Sequence, residues 1–155
     1  MKTRAAFVLL ALCTMLGCTA TARLYPIQGP LSVQTPSPVF VGRLTGAVNS
    51  GTVSFVMADG EVCKGRWARV VPATAGTPAA NGMPSVWDTV YGSGYYVSHV
   101  LGKQYFADGA ITGNLGTVLN VEFYRADPPA THIAGVAKDS KGNIYKMVFT
   151  AVGAT

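Results

Sequence analysis

Charge is scarce in this chain. Only 12% of its 155 residues are Asp, Glu, Lys or Arg, with twelve basic side chains against seven acidic ones. The formal charge is +5, and Lys2 and Arg4 supply two of the positive charges at the extreme N-terminus. The remainder is too weakly basic for a nucleic-acid footprint, so no nucleic-acid partner is expected. Histidine is rarer still, with only His99 and His132. A zinc site takes three or four well-spaced ligands, and neither HExxH nor CxxC occurs, so no metal and no cofactor is expected. Each histidine is read as an ordinary strand residue.

Signatures of catalysis are equally thin. Triads are spatial and leave no obligatory mark, but there is no G-x-S-x-G elbow, and Gly92-Ser93-Gly94 reads as a flexible turn. Gly113 to Gly116 lacks the downstream helix of a phosphate loop. Among the carboxylates, Asp59, Asp108, Asp127 and Asp139 sit in turn-like contexts, and Glu122 is the one expected in mid-strand, pointing to solvent. The chain is read as non-enzymatic, with a small hydrolase using Glu122 or a histidine kept as a rival.

Three cysteines are too few for a disulfide framework once they are sorted. Cys13 lies in the N-terminal apolar segment and Cys18 follows it. Cys63 stands alone and reads as a small buried hydrophobe.

The N-terminus carries an address. Lys2 and Arg4 precede an uncharged stretch from Ala5 to Leu16. As a helix that stretch rises about 18 Å, short of the roughly 20 residues that span a bilayer. The arrangement reads as an export signal. Met15-Leu16-Gly17-Cys18 resembles the lipobox of bacterial lipoproteins, with Met15 where Leu is usual and Leu16 where a small residue is usual. The resemblance covers the signal alone. It implies cleavage before Cys18 and acylation of that cysteine, hence a membrane anchor. Thr19 is not the Asp that retains some lipoproteins at an inner membrane, so an outer-membrane lipoprotein facing the periplasm is implied. Ala20-Thr21-Ala22 offers a second cleavage site of A-x-A type, which would release a soluble periplasmic chain beginning at Arg23. In plan the chain is similar to small envelope lipoproteins of Gram-negative bacteria, and that similarity carries no activity and no site residues.

Residues 18–38 read as the lipidated cysteine and a tether, because Pro26, Pro30, Pro36 and Pro38 disfavour helix and central strand. Leu24, Tyr25, Ile27 and Leu31 are unusual in a linker and mark part of this arm as a candidate to pack on the domain. Residues 39–155 read as a single domain.

Val39 to Thr45 opens that domain with strand composition. Gly51 to Val70 is the clearest hairpin. A three-residue loop, with Gly60 left-handed, pairs Met57 with Glu61, Phe55 with Cys63, Val53 with Gly65 and Gly51 with Trp67. Val53, Phe55, Met57, Cys63 and Trp67 then share an inner face. The device recurs at Asn114-Leu115-Gly116 and Ser140-Lys141-Gly142, with a four-residue loop including Asp139 nearly as good in the latter. Leu119, Val121, Phe123, Tyr145, Met147 and Phe149 are expected inside. Pro72 to Pro84 reads as a loop, Ser85 as the N-cap of a short helix near 85–91 with Asp88 as a weak capping-box partner, and Tyr95 to Leu101 as a strand. The fold expected is all-β: about eight antiparallel strands in a meander forming a small barrel or sandwich, with one short helix.

Two surfaces are candidates for binding a glycan or an envelope protein. Trp87, Tyr91, Tyr95 and Tyr96 cluster in the atypical region, either as a stacking surface or as a lid on one end of the core. Lys64, Arg66 and Lys146 form a candidate basic strip, for anionic lipid or glycan phosphates. The function expected is a binding or structural role at the envelope, with inhibition of an exogenous hydrolase such as a lysozyme as the alternative.

Overall fold

The computed structural model describes residues 18–47, 49–70, 83–103, 105–125 and 133–151. The export signal expected over residues 1–17, most of the loop expected between Pro72 and Pro84, Asp127 and His132 lie outside the described residues.

Eight strands close into an antiparallel barrel in chain order: β1 (Cys18–Gln28), β2 (Phe40–Gly46), β3 (Ser50–Val56), β4 (Val62–Arg69), β5 (Phe106–Gly113), β6 (Val118–Arg125), β7 (Ile133–Asp139) and β8 (Ile144–Ala151). A helix, α1 (Pro84–Tyr91), and a π turn (Tyr96–Val100) lie between β4 and β5. The choice between barrel and sandwich is settled by β1, which pairs with β2 on one side and β8 on the other. Paired residues can be followed once around the wall: Cys18, Gly46, Gly51, Trp67, Gly109, Val121, Ala137, Tyr145. The path returns to β1 at Pro26, eight residues beyond its start. That stagger belongs to a small barrel with strands tilted by roughly 35–45°, whose interior side chains fill.

The hairpin registers follow from alternation and turn chemistry. Phe55 pairs with Cys63, Val53 with Gly65 and Gly51 with Trp67. The Met57 amide donates to the Glu61 carbonyl at 2.9 Å, and Gly60 takes φ +78° at the third loop position. Both later hairpins use the same three-residue loop, with Gly116 and Gly142 left-handed and Asp139 N–H bonded to the Asn143 carbonyl. One repeated loop length fixes the inward sets of these three hairpins without a slip.

The interior is apolar, with Leu24, Phe55, Ile111, Leu119, Val121, Tyr145 and Met147 almost fully buried. Glycines make room for the large rings on a tapering wall. A methyl group on Gly42 would overlap the Phe55 ring, and one on Gly113 would overlap the Glu61 carboxylate. Outward positions carry Arg23, Arg43, Lys64, Arg66, Asn120 and Lys138. They alternate with exposed apolar side chains such as Val41, Val56 and Val62, and the interior is apolar where that of a transmembrane barrel is polar. No helix among the described residues is long and apolar enough to cross a membrane.

Two segments differ from expectation, although eight strands are present. The tether read over residues 18–38 is a strand for its first eleven residues, with Ala22 and Leu24 buried. Pro26 is tolerated because it lies beyond the last β1–β2 pair, Leu24 with Phe40, and directly before the irregularity on the β8 side. Tyr95 to Leu101 is not a strand. Tyr96 and Val100 are buried four residues apart, a helical spacing, and the Leu101 amide donates to the Tyr96 carbonyl.

The helix starts one residue earlier than expected. Pro84 occupies its first turn, Met83 stands at the N-cap, and no side chain caps it. Ser85 therefore does not cap. The Asp88 carboxylate instead accepts the Tyr96 amide at 3.0 Å, fastening the π turn to α1.

Candidate functional site

Strands β5 and β6 set outward side chains side by side. Asp108 is paired with Glu122, and Ala110 with Asn120. Above them Met83 stands at the N-cap of α1, and the space between is a depression of about 470 Å³ lined by Met83, Asp108, Gly109, Ala110, Asn120, Val121 and Glu122.

Glu122 dominates it. The expectation that this carboxylate points to solvent is overturned: its position is outward, but α1 covers it and it is 2% exposed. One oxygen accepts the Met83 amide at 2.8 Å and the other accepts the Trp87 indole N–H at 2.7 Å. Burial raises its pKa to about 7 against those two donors, and the nearby Asp108 adds to the rise. Asp108 is itself raised, chiefly by burial. Glu122 therefore titrates near neutrality with both oxygens engaged by α1, which makes it a fastener between helix and wall.

The aromatic cluster is placed differently from a lid on the barrel's end. It lies on the outside of the wall, where Val86, Trp87, Tyr96 and Val100 pack with Phe106, Tyr124, Ala134, Val136 and Ile144. Trp87 and Tyr96 are buried, so neither offers a face to a ligand. Tyr91 and Tyr95 are half-buried and stack on each other with centroids 4.6 Å apart; His99 stacks on Tyr95 at 4.5 Å. The Lys146 ammonium lies 5.2 Å from the Tyr91 ring centre. Ring faces that a sugar would use are occupied by neighbouring rings. The free portion is the edge of this stack and the exposed His99, which sits on the π turn rather than on a strand.

The basic strip does not form as drawn. Lys64 and Arg66 alternate on the outside of β4, but Lys146 is on β8, four strands away and on the opposite wall. Arg43 takes its place: it pairs with Ser54, which pairs with Lys64.

Cys63 is fully buried and its thiol is raised by that burial, which suits a hydrophobe rather than a nucleophile. One arrangement is only partly legible in the sequence, where the three-residue loop sets Glu61 opposite inward Met57 but gives no partner for it. At the hairpin end, buried Glu61 accepts the Leu115 and Thr117 amides and the Thr117 hydroxyl, and Lys141 lies 3.4 Å from it. The Thr117 hydroxyl above all holds the Glu61 pKa below the usual carboxylate range. Beside it, Asp139 accepts from Tyr145, from the Asn143 side chain and from two backbone amides, while Asn143 accepts the Leu31 amide. Four loops are thereby tied together across one end of the barrel.

No family model matches the chain, and comparison with curated proteins and with solved structures found no match either.

Proposed function

We propose that this chain is a lipid-anchored protein of a bacterial envelope, acylated at Cys18, with a binding or structural role rather than a catalytic one. The observation that carries the reading is where the barrel begins. Residues 18–22 are integral to β1: Cys18 pairs with Gly46, Ala22 pairs with Gly42 and Phe149, and Ala22 is fully buried. Cleavage after Ala22 would cut through the strand that closes the barrel. Cleavage before Cys18 would keep every described residue of that strand. The engaged oxygens of Glu122 and the packed interior favour a scaffold over a reaction centre.

The mature protein's mass and its partitioning into detergent test this. Two or more acyl chains on a chain beginning at Cys18 are expected. An unmodified chain beginning at Arg23 would refute the anchor.

The alternative of a hydrolase inhibitor draws on one feature. Leu115 is 66% exposed at the tip of a tight turn whose backbone is pinned by buried Glu61. A rigid apolar tip is pre-organised for insertion into a cleft. Mixing with a lysozyme-like enzyme tests it: inhibition that Leu115→Asp abolishes would support this role, and full activity at excess protein would end it.

A further inference from the structure

The outside of the barrel divides by chemistry. The β6–β8 side is covered by α1 and the π turn, and β5 and β6 carry Asp108 and Glu122. Among the described residues, no helix covers the β1–β4 side. Its outward positions hold Arg23, Arg43, Lys64 and Arg66 and no carboxylate; Asp59, at the β3–β4 tip, is turned to Lys141 at 3.6 Å. All four cations are exposed, and none makes an ion pair among the described residues.

The same side holds a second kind of group. Tyr25, Ile27, Val41, Val56 and Val62 face outward there and are 37–53% exposed. Register sets Arg43, Lys64 and Arg66 beside an apolar row, and Arg23 lies within that row, paired with Val41. Arg43 and Lys64 lie in one row through Ser54, with Arg66 two residues along β4; Val56 pairs with Val62 toward the hairpin tips. At about 4.8 Å between strands, Arg43 and Lys64 stand roughly 10 Å apart.

Cations alone would suit any polyanion. Cations bordered by exposed valines, an isoleucine and a tyrosine suit an interface with an apolar layer beneath an anionic one. We propose that the β1–β4 wall is the face this barrel lays against an anionic lipid surface. The guanidinium and ammonium groups meet lipid phosphates, and the Val and Ile side chains reach the acyl boundary. This deepens the anchored reading and rests on it for orientation. Cys18 lies in β1, one of the strands of this wall, so an anchor there would keep the barrel at the membrane surface, within reach of this wall.

The wall can be tested apart from the anchor. The chain from residue 18 onward contains every described strand, and Cys18→Ser removes the acylation site from it. Co-sedimentation with phosphatidylcholine vesicles, with and without phosphatidylglycerol, is the measurement. Binding only to the anionic vesicles is expected, falling with salt and by about fivefold for each of Arg43→Ala, Lys64→Ala and Arg66→Ala. Val56→Asp with Val62→Asp is expected to weaken it further, whereas Lys138→Ala on β7 should not. Equal partitioning to both vesicles, no binding to either, or loss only with Lys138→Ala would overturn the proposal. So would binding to soluble polyphosphate or RNA with none to vesicles. Circular dichroism of each variant separates lost binding from lost fold. Failure here leaves the Cys18 anchor standing, since the mature mass judges that separately.

Discussion

The Glu122 carboxylate accepts the Trp87 indole N–H at 2.7 Å across 35 positions of chain. This bond joins β6 to α1 and turns an outward strand position into a buried one. It also couples the helix to pH. The carboxyl is raised to about 7 in the folded chain, above its ordinary value of 4.5, mainly by burial. Its folded pKa exceeds its unfolded one, so the folded state binds the extra proton between those values. Stability from this group is full below about pH 4.5, declines as pH rises, and levels off above 7. The span is about 3 kcal/mol. Urea midpoints measured from pH 4.5 to 8 should fall accordingly in the wild type, while Glu122→Gln should remove that part of the slope. An unchanged slope in the variant would assign it to other groups.

Trp87→Phe isolates the other half of the pair. The ring stays buried, but one Glu122 oxygen loses its donor in a site that water does not reach freely. The expected cost is about 1–3 kcal/mol. The loss should be local, because α1 and the π turn are joined by Asp88 and Tyr96 and would loosen together. Hydrogen exchange should accelerate for Trp87 to Val100 amides while β2–β4 amides keep their protection. Uniform acceleration would mean that the covering segment and barrel unfold as one unit.

What could be read from the sequence was whatever depended on near neighbours. The inward faces of β3 and β4 followed from alternation around a Gly60 turn, and the same logic carried to Gly116 and Gly142. Strand β1 was obscured by its own composition. Thr19-Ala20-Thr21-Ala22-Arg23-Leu24 alternates as a strand should, with Ala20, Ala22 and Leu24 inward, but its small residues also read as a cleavage site and Pro26 as a breaker. Tyr95 to Leu101 went the other way: its Tyr and Val content is strand-like, while burial of Tyr96 and Val100 obeys a helical period. Alternation puts Glu122 on the outer face but does not give its environment, because its cover comes from a segment 35 residues upstream. The Glu61 and Asp139 networks join loops distant in sequence, which no local pattern encodes. Charge alone groups Lys146 with Lys64 and Arg66, and closure of the barrel sets it on the opposite wall.

Two glycine substitutions separate space from backbone conformation. Gly113 faces the buried Glu61 carboxylate, and a methyl there would displace the group that holds the Leu115 and Thr117 amides. Gly113→Ala should cost about 2 kcal/mol or more by disturbing a buried polar network. Gly60 has open space around it but sits at φ +78°. Gly60→Ala should cost only about 1–2 kcal/mol, the penalty of an L-residue in that conformation. Thermal unfolding of the two variants should rank Gly113→Ala lower. The reverse order would mean that the hairpin end relaxes around the added methyl.

The position of the mature N-terminus is also a stability question. A chain beginning at Arg23 loses residues 18–22, which make five of the seven β1–β2 pairs and carry the buried Ala22. The upper parts of β2 and β8 would then face each other across a gap, with unpaired backbone groups along both edges. Exposed edges of that kind recruit other strands, so loss of monomeric state is expected together with loss of stability. Chains starting at residue 18, with Cys18→Ser, and at residue 23 can be compared by gel filtration and thermal melting. The longer chain should be monomeric and melt cooperatively, and the shorter one should aggregate or melt far lower. Two equally stable monomers would show that residues 18–22 are dispensable to the barrel. They would also remove the structural argument for cleavage before Cys18.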